Sequence, residues 1–219
     1  MKRNVLVLVL LVANIVLAAC KPSASPTELE TTEVREYKGE NLSSIDEFRE
    51  NSILGVQRVS LDDYHLEITG LVEKPLSMTY DQVLDHDQYS KVVALYCVEG
   101  WQVTILWEGV LIEDLIDQAG VKDEAVTVIF HAADGYTSAL PLDFVRDNDI
   151  MLAYKMNDVT LPPERGFPFQ VVAESKWGYK WVKWATKIEL SDDTDYRGYW
   201  EERGYNNDGD IEGPMFEKR

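Results

Sequence analysis

Three kinds of hydrophobic pattern run along this chain. Residues 5–12 and 15–17 are almost unbroken apolar stretches behind a short basic start at Lys2 and Arg3. Farther on, Tyr64, Leu66, Ile68 and Val72 largely alternate with polar residues, the pattern of a strand with one buried face. Val92-Val93-Ala94-Leu95 is continuously apolar and reads as a fully buried strand, with Gly100 turning the chain after it. Residues 77–84 predict a short capped helix. Residues 111–119 predict a better one, with Leu111, Ile112, Leu115 and Ile116 on one face and Gly120 at the C-terminal position. Further strands are expected at 126–130, at 151–156 with a turn at Asn157-Asp158, at 167–172 and at 186–190. Strands outnumber helices and connections are short. The fold class is therefore α+β, with mixed, mainly antiparallel sheets and short helices, and not a series of βαβ units.

The first apolar stretch changes the picture of where the protein works. Leu17-Ala18-Ala19-Cys20 closes it with small residues before a cysteine, so residues 1–20 read as a lipoprotein signal peptide with its lipobox. Cys20 is the expected lipidation site, giving an extracytoplasmic protein anchored by lipid to the cell envelope membrane. Residues 21–44 are polar and acidic and read as a flexible tether. Residues 45–190 are expected to form one domain. Residues 191–219 form a tail with nine acids against four bases, whose aromatics should pack it along the domain.

Charge excludes some partners. The chain carries a net charge of −18, and loss of Lys2 and Arg3 with the signal makes it −20. Such a surface repels nucleic acid phosphates, so no nucleic acid partner is expected.

Candidate chemistry begins with Cys97, the second of two cysteines and the one left once Cys20 is lipidated. An internal disulfide and a multi-cysteine metal site are excluded by counting. At the end of a strand, Cys97 is placed to be a nucleophile or a metal ligand; an inert core thiol is the plainer alternative. Three later segments bear on that choice. Asp134-Gly135-Tyr136 is a glycine-led turn presenting a tyrosine. Leu161-Pro162-Pro163-Glu164-Arg165-Gly166-Phe167-Pro168-Phe169 is a stiffened loop entering a strand. Lys176-Trp177-Gly178-Tyr179-Lys180-Trp181-Val182-Lys183-Trp184 interleaves three lysines with aromatics. Aromatic faces can stack on a heterocycle while ammonium groups hold a phosphate.

Taken with Tyr96-Cys97-Val98-Glu99-Gly100-Trp101 and Leu152-Ala153-Tyr154-Lys155-Met156-Asn157, these segments resemble the molybdopterin-binding domain of the sulfite oxidase family, which includes the periplasmic methionine sulfoxide reductase catalytic subunit. The resemblance runs from about residue 61 to 190. It implies a sulfite oxidase-type molybdopterin-binding fold and a molybdenum–molybdopterin cofactor. It also implies Cys97 as the thiolate ligand of molybdenum and Tyr136 as a catalytic residue facing the metal's oxygen ligands. Lys176, Lys180 and Lys183 would lie near the pterin phosphate, with Gly178 giving close backbone approach. The implied reaction is oxygen-atom transfer on a small-molecule substrate, with electrons exchanged singly with a partner.

The chain departs from the family at Gln170, where an arginine is frequent. A neutral amide binds anions less well than a forked cation, which favours a neutral S-oxide or N-oxide over sulfite. The upstream asparagine–histidine pterin contact has only Asn51 and His65 as weakly placed candidates. The signal has no arginine pair, which leaves a second reading open: a metal-free binding or scaffold lipoprotein that keeps the fold. A thiol enzyme using Cys97 directly needs a base, and His65, His86 and His131 show no recognisable dyad spacing.

Overall fold

The computed structural model describes residues 32–218, so the signal peptide, Cys20 and residues 21–31 lie outside the described part. Its elements in chain order are β1 (Glu36–Tyr37), β2 (Glu40–Asn41), β3 (Leu66–Gly70), β4 (Leu76–Met78), α1 (Tyr80–Leu84), β5 (Gln88–Tyr96), β6 (Gln102–Leu111), α2 (Ile112–Ala119), β7 (Thr127–Ala132), β8 (Thr137–Pro141), α3 (Leu142–Asp147), β9 (Met151–Met156), β10 (Val159–Thr160), β11 (Gln170–Val172) and β12 (Ala185–Ser191). One sheet runs β10-β9-β6-β5 with β11 also on β9; the other runs β4-β3-β12-β7-β8. Within these two sheets the pairings are antiparallel except β3 with β12. One apolar core draws on both sheets and on α2, whose Ile112, Leu115, Ile116 and Ala119 are all buried. The α+β class with mainly antiparallel sheets and short helices is what the structure has.

Several elements differ from their sequence patterns for local reasons. The segment 77–84 is not all helix, because Leu76–Met78 pairs with β3 as a strand. The helix starts at Tyr80 behind a capping box in which Thr79 and Gln82 exchange side-chain-to-backbone hydrogen bonds of 2.9 and 3.3 Å. The apolar run 92–95 is not buried on both faces: β5 is the last strand of its sheet, and Val93 and Leu95 are buried while Val92 and Ala94 are half-buried. The strand expected from 167 begins at Gln170, after Gly166 takes φ 100° to end a 3-10 turn at Pro163–Arg165. At the β9–β10 hairpin, Asn157 and Asp158 adopt φ 48° and 63°, the left-handed pair that a two-residue hairpin turn requires.

The acidic stretch 32–44 is not free chain. Leu42 is buried, and the Glu33 carboxylate accepts from Ser44 Oγ at 2.6 Å and the Ile45 amide at 2.9 Å. The buried Asn157 side chain accepts from the Leu106 amide at 3.0 Å and donates to the Ser43 carbonyl at 2.8 Å, tying this stretch to β6. Composition alone did not show the tie to Asn157, because it comes from 114 residues away.

The C-terminal segment is also built in. Glu201 and Lys180 pair at 2.7 Å with their side chains essentially inaccessible, and Glu201 also accepts from Ser138 Oγ at 2.6 Å. Lys180 donates further to the Ala139 carbonyl at 3.1 Å. The chain folds closely over this lysine: a Cβ on Gly209, which sits at φ 67°, would lie 2.7 Å from Lys180 Cγ. Removing one member of such a pair strands a buried charge, whereas an apolar replacement of both need not. Glu201→Ala is therefore expected to cost about 3–5 kcal/mol in urea unfolding, and Lys180→Met with Glu201→Leu to recover most of it.

Candidate active site

The hairpin β5–β6 sets the position of Cys97. In β5, Val93 and Leu95 face the core, and Cys97 continues that every-second-residue series one step past the strand. The Cys97 amide donates to the Trp101 carbonyl at 2.9 Å and Gly100 donates to the Cys97 carbonyl at 3.0 Å, closing a tight turn over residues 97–101. The turn at Gly178–Lys180 packs directly beneath. A Cβ on Gly178 would come within 3.2 Å of the Tyr96 carbonyl and 3.8 Å of Cys97 Cα. The close approach that Gly178 permits is thus to the cysteine strand.

Cys97 opens onto a cavity of ≈ 500 Å³, within the usual range for small-molecule sites. Beside the Cys97 turn with Trp101 and the turn carrying Asp134 and Tyr136, three further parts of the chain wall it. The segment 48–55 contributes Phe48, Arg49, Glu50, Asn51 and Ser52. The 164–184 region contributes Arg165, Gln170, Lys183 and the rings of Tyr179, Trp181 and Trp184. Trp200 and Tyr205 come from the C-terminal segment. Arg165 holds the first wall in place: its Nε donates to the Ile45 carbonyl at 2.9 Å, its Nη2 to the Phe48 carbonyl at 2.5 Å, and its guanidinium lies 3.9 Å from the Phe48 ring centroid. That wall brings the Asn51 amide to 3.8 Å from Cys97 Sγ.

The sequence-derived candidates separate into two groups. Cys97, Tyr136, Gln170, Gly178 and Lys183 all line the cavity. Lys176 and Lys180 do not. Lys180 points into the protein against Glu201, and Lys176 pairs with Asp210 while its ammonium lies 4.1 Å over the Phe144 ring. Of the three lysines expected near a phosphate, Lys183 alone lines the cavity, because the acidic tail supplies carboxylates to the other two. Even Lys183 has a partner, Glu50, at 2.6 Å across the cavity wall. Burial pushes the ammonium pKa of Lys183 down, and Glu50 opposes that shift. Tyr136 lines the cavity, yet its hydroxyl donates to the Tyr179 carbonyl. Burial, reinforced by the Glu201 charge, holds its pKa far above the ordinary phenol range, so Tyr136 is a proton holder at neutral pH. No histidine lines the cavity: His86 bonds Gln118 at 2.8 Å and His131 bonds Glu189 at 2.9 Å. Activation of Cys97 by a histidine base has no geometry among the described residues.

Sequence reasoning set Asn51 aside and did not find Arg49, Glu50, Ser52 or Arg165 as site residues. Arg165 lay inside a quoted motif, and its role became visible once the carbonyls it grips were seen. Among the described residues, Arg49 has no ion-pair partner, and the Gln170 side chain, 3% exposed, has no hydrogen-bond partner. Ser52 Oγ is buried and unpartnered.

Residues 53–200 match the family described as the oxidoreductase molybdopterin binding domain. The chain belongs to that family. It is 36% identical over 148 residues to the uncharacterized oxidoreductase YuiH of Bacillus subtilis (strain 168), covering 67% of this chain and 74% of that protein. It is 30% identical over 145 residues to the protein-methionine-sulfoxide reductase catalytic subunit MsrP of Gluconobacter oxydans (strain 621H), covering 58% of this chain and 46% of that one. The crystal structure of the sulfane dehydrogenase SoxCD from Paracoccus pantotrophus superposes with a TM-score of 0.61 at 28% identity, over 64% of this chain and 41% of that chain. The molybdopterin-binding domain thus spans less than half of the last two relatives. Its fold is the sulfite oxidase type, and its cofactor is molybdenum–molybdopterin.

The residues present fit that group. A soft thiol suits a redox metal already bound by sulfur. The unpartnered Ser52 hydroxyl, the Gln170 amide, the Arg165 and Lys183 cations, and the rings of Trp101, Trp181 and Trp184 line the same cavity. A polar heterocycle carrying a phosphate could use all of these.

In the metal-free protein, burial raises the Cys97 pKa above the ordinary thiol range and the Glu99 charge adds to that; the Glu99 backbone amide, the Asn51 amide and Arg49 work in the opposite direction. Alkylation of metal-free protein by iodoacetamide, which needs the thiolate, is expected to be slow at pH 8 and still accelerating above the usual thiol pKa. Asn51→Ala should shift the profile to higher pH; mass-spectrometric labelling rates across pH check both.

Proposed function

We propose that this molybdopterin-binding domain is an oxygen-atom transferase for a neutral S-oxide or N-oxide, held outside the cytoplasm by lipid on Cys20. The observation that carries the reading is the pairing of Cys97 with Gln170 in one cavity: a thiol suited to the metal, and a neutral amide whose donors are unengaged. By resemblance, Cys97 would be the metal's protein ligand and Lys183 would lie near the cofactor's phosphate; Arg165 adds a cation and Trp101, Trp181 and Trp184 add ring faces to the same cavity. When bound, the cofactor supplies a two-electron change and the exchange of one oxygen atom with substrate.

The chain's own groups do the rest. The Gln170 amide can donate to an S=O or N–O oxygen without demanding a full negative charge. Tyr136, held protonated and tied to the Tyr179 carbonyl, fixes the turn beneath Cys97 and presents its ring to the cavity. The rings of Trp101, Trp181 and Trp200 offer apolar area for the organic part of the substrate. Reduction of an S-oxide takes two protons and two electrons and releases water. The protons come from solvent at the open mouth, and the electrons from a one-electron partner.

The extracytoplasmic reading rests on residues 1–20, and no helix among the described residues is long and apolar enough to cross a membrane. The metal-free alternative is favoured by one observation: each of the three lysines assigned to phosphate already has a carboxylate partner.

Cys97→Ser is expected to lose molybdenum retention, read by elemental analysis, while circular dichroism and thermal unfolding stay near wild type. Retention of stoichiometric metal by that variant would remove Cys97 from the site. Gln170→Arg is expected to shift relative kcat/KM toward anionic substrates by about tenfold, since a charge-assisted contact replaces a neutral one. An unchanged ratio would place Gln170 away from substrate.

A further inference from the structure

The cavity wall contributed by the C-terminal segment continues outward to the surface. Trp200 and Tyr205 line the cavity, and the Tyr205 ring lies 5.4 Å from Trp200 and 4.8 Å from Phe216, centroid to centroid. Trp200 is 38% and Phe216 55% exposed, so three touching rings lead from the cavity to solvent. The family match stops at residue 200, which makes Tyr205 and Phe216 features of this chain beyond the shared domain.

This strip is held rigidly. The Trp177 amide donates to the Gly209 carbonyl at 2.7 Å, Tyr179 Oη donates to the Asn206 carbonyl at 2.7 Å, and Glu201 is locked against Lys180. The residues between and beside the rings are acidic: Glu202, Asp208 and Glu212 are exposed. Among the nearby bases, Arg197 pairs with Glu217 at 3.4 Å, Arg203 donates to the Tyr199 carbonyl at 2.6 Å and lies 3.9 Å from Glu202, and Lys218 is exposed, so the rim is acidic on balance. Exposed aromatic area with a predominantly acidic rim has the anatomy of a docking face, with the rings as the desolvated centre and the charges steering approach.

We propose that this aromatic strip and its acidic rim are the docking face for a basic one-electron carrier protein. The carrier's role rests on the oxygen-transfer reading above, since each S-oxide reduced consumes two reduced carriers and two protons and yields sulfide, water and two oxidised carriers. Its sign follows from charge: a chain of net −18 attracts a cationic protein and repels both an acidic one and a second copy of itself. A carrier seated on Phe216 and Trp200 has its exposed redox group against the rings that form the cavity wall, so electrons need cross only that wall.

The test is direct binding by calorimetry, which needs no bound molybdenum and so fails independently of the oxygen-transfer reading. The probes are a basic c-type cytochrome and an acidic ferredoxin, against the full chain at low and high ionic strength. Micromolar binding of the cytochrome that weakens with salt, and none of the ferredoxin, is expected. Glu202→Lys with Asp208→Lys and Glu212→Lys should weaken binding about tenfold or more. Phe216→Ala should weaken it with the salt slope unchanged. Asp62→Lys with Asp63→Lys and Glu67→Lys, which reverses three exposed acids outside the cavity lining and gives the same net charge, should cost less than about threefold. Equal losses from the two triple variants would reduce the effect to diffuse charge and overturn the proposal. So would concentration-dependent self-association abolished by Phe216→Ala, which would assign the strip to a second copy.

Discussion

The cavity depends on one guanidinium. Arg165 leaves a 3-10 turn between two strands and donates to two backbone carbonyls, Ile45 and Phe48, that lie about 120 residues earlier in the chain. Hydrogen bonds to a charged donor contribute about 1.5–3 kcal/mol each, and the flat face also stacks on Phe48. Without this clasp, no described side-chain bond other than the Glu50–Lys183 pair and the Asn51–Cys97 contact ties 48–51 across the cavity. Burial disfavours the charged form of Arg165, as expected for a cation 9% exposed, and the acids Asp46, Glu164 and Glu50 offset part of that. A fixed positive charge therefore lines the cavity although position 170 carries a neutral amide.

A second constraint is the way acidity is spent inside the fold. The surface is strongly acidic, yet three of its carboxylates reach inward or across to lysines: Glu201 to Lys180, Asp210 to Lys176 and Glu50 to Lys183. The first pair fastens the C-terminal segment, the second helps hold it along the domain, and the third sits in the cavity wall. A site that would accept an anionic cofactor is thus left with two cations without an ion-pair partner among the described residues, Arg49 and Arg165, and Arg165 is already bonded to the Ile45 and Phe48 carbonyls. The family fold is shared with relatives of differing chemistry, so the substrate must be read from this lining and not from the architecture.

How much of this could be read from the chain depended on sequence distance. The helix at α2, the turn at Asn157-Asp158 and the strand at β9 were legible because their determinants are local: a 3.6-residue apolar repeat, a left-handed residue pair, a short apolar run. Cys97 was legible as a candidate because counting left it alone and its motif stands in order with two others of one family, and the structure places it on the cavity. The pairing of Lys176 and Lys180 was not legible, because their partners lie 34 and 21 residues onward in a tail read only as acidic and aromatic. Asn51 was set aside for the same reason: its closeness to Cys97 comes from Arg165 folding the 45–55 segment back over the β5–β6 turn, and no spacing in the sequence encodes that.

The central claim is that this cavity holds molybdenum–molybdopterin through Cys97. Elemental analysis of the protein purified from its native cells tests it most directly. The account predicts about one molybdenum per chain, accompanied by pterin released on denaturation. Protein devoid of molybdenum, taken from cells whose other molybdoenzymes are loaded, would contradict it and make the paired lysines the mark of a domain that has given up its metal.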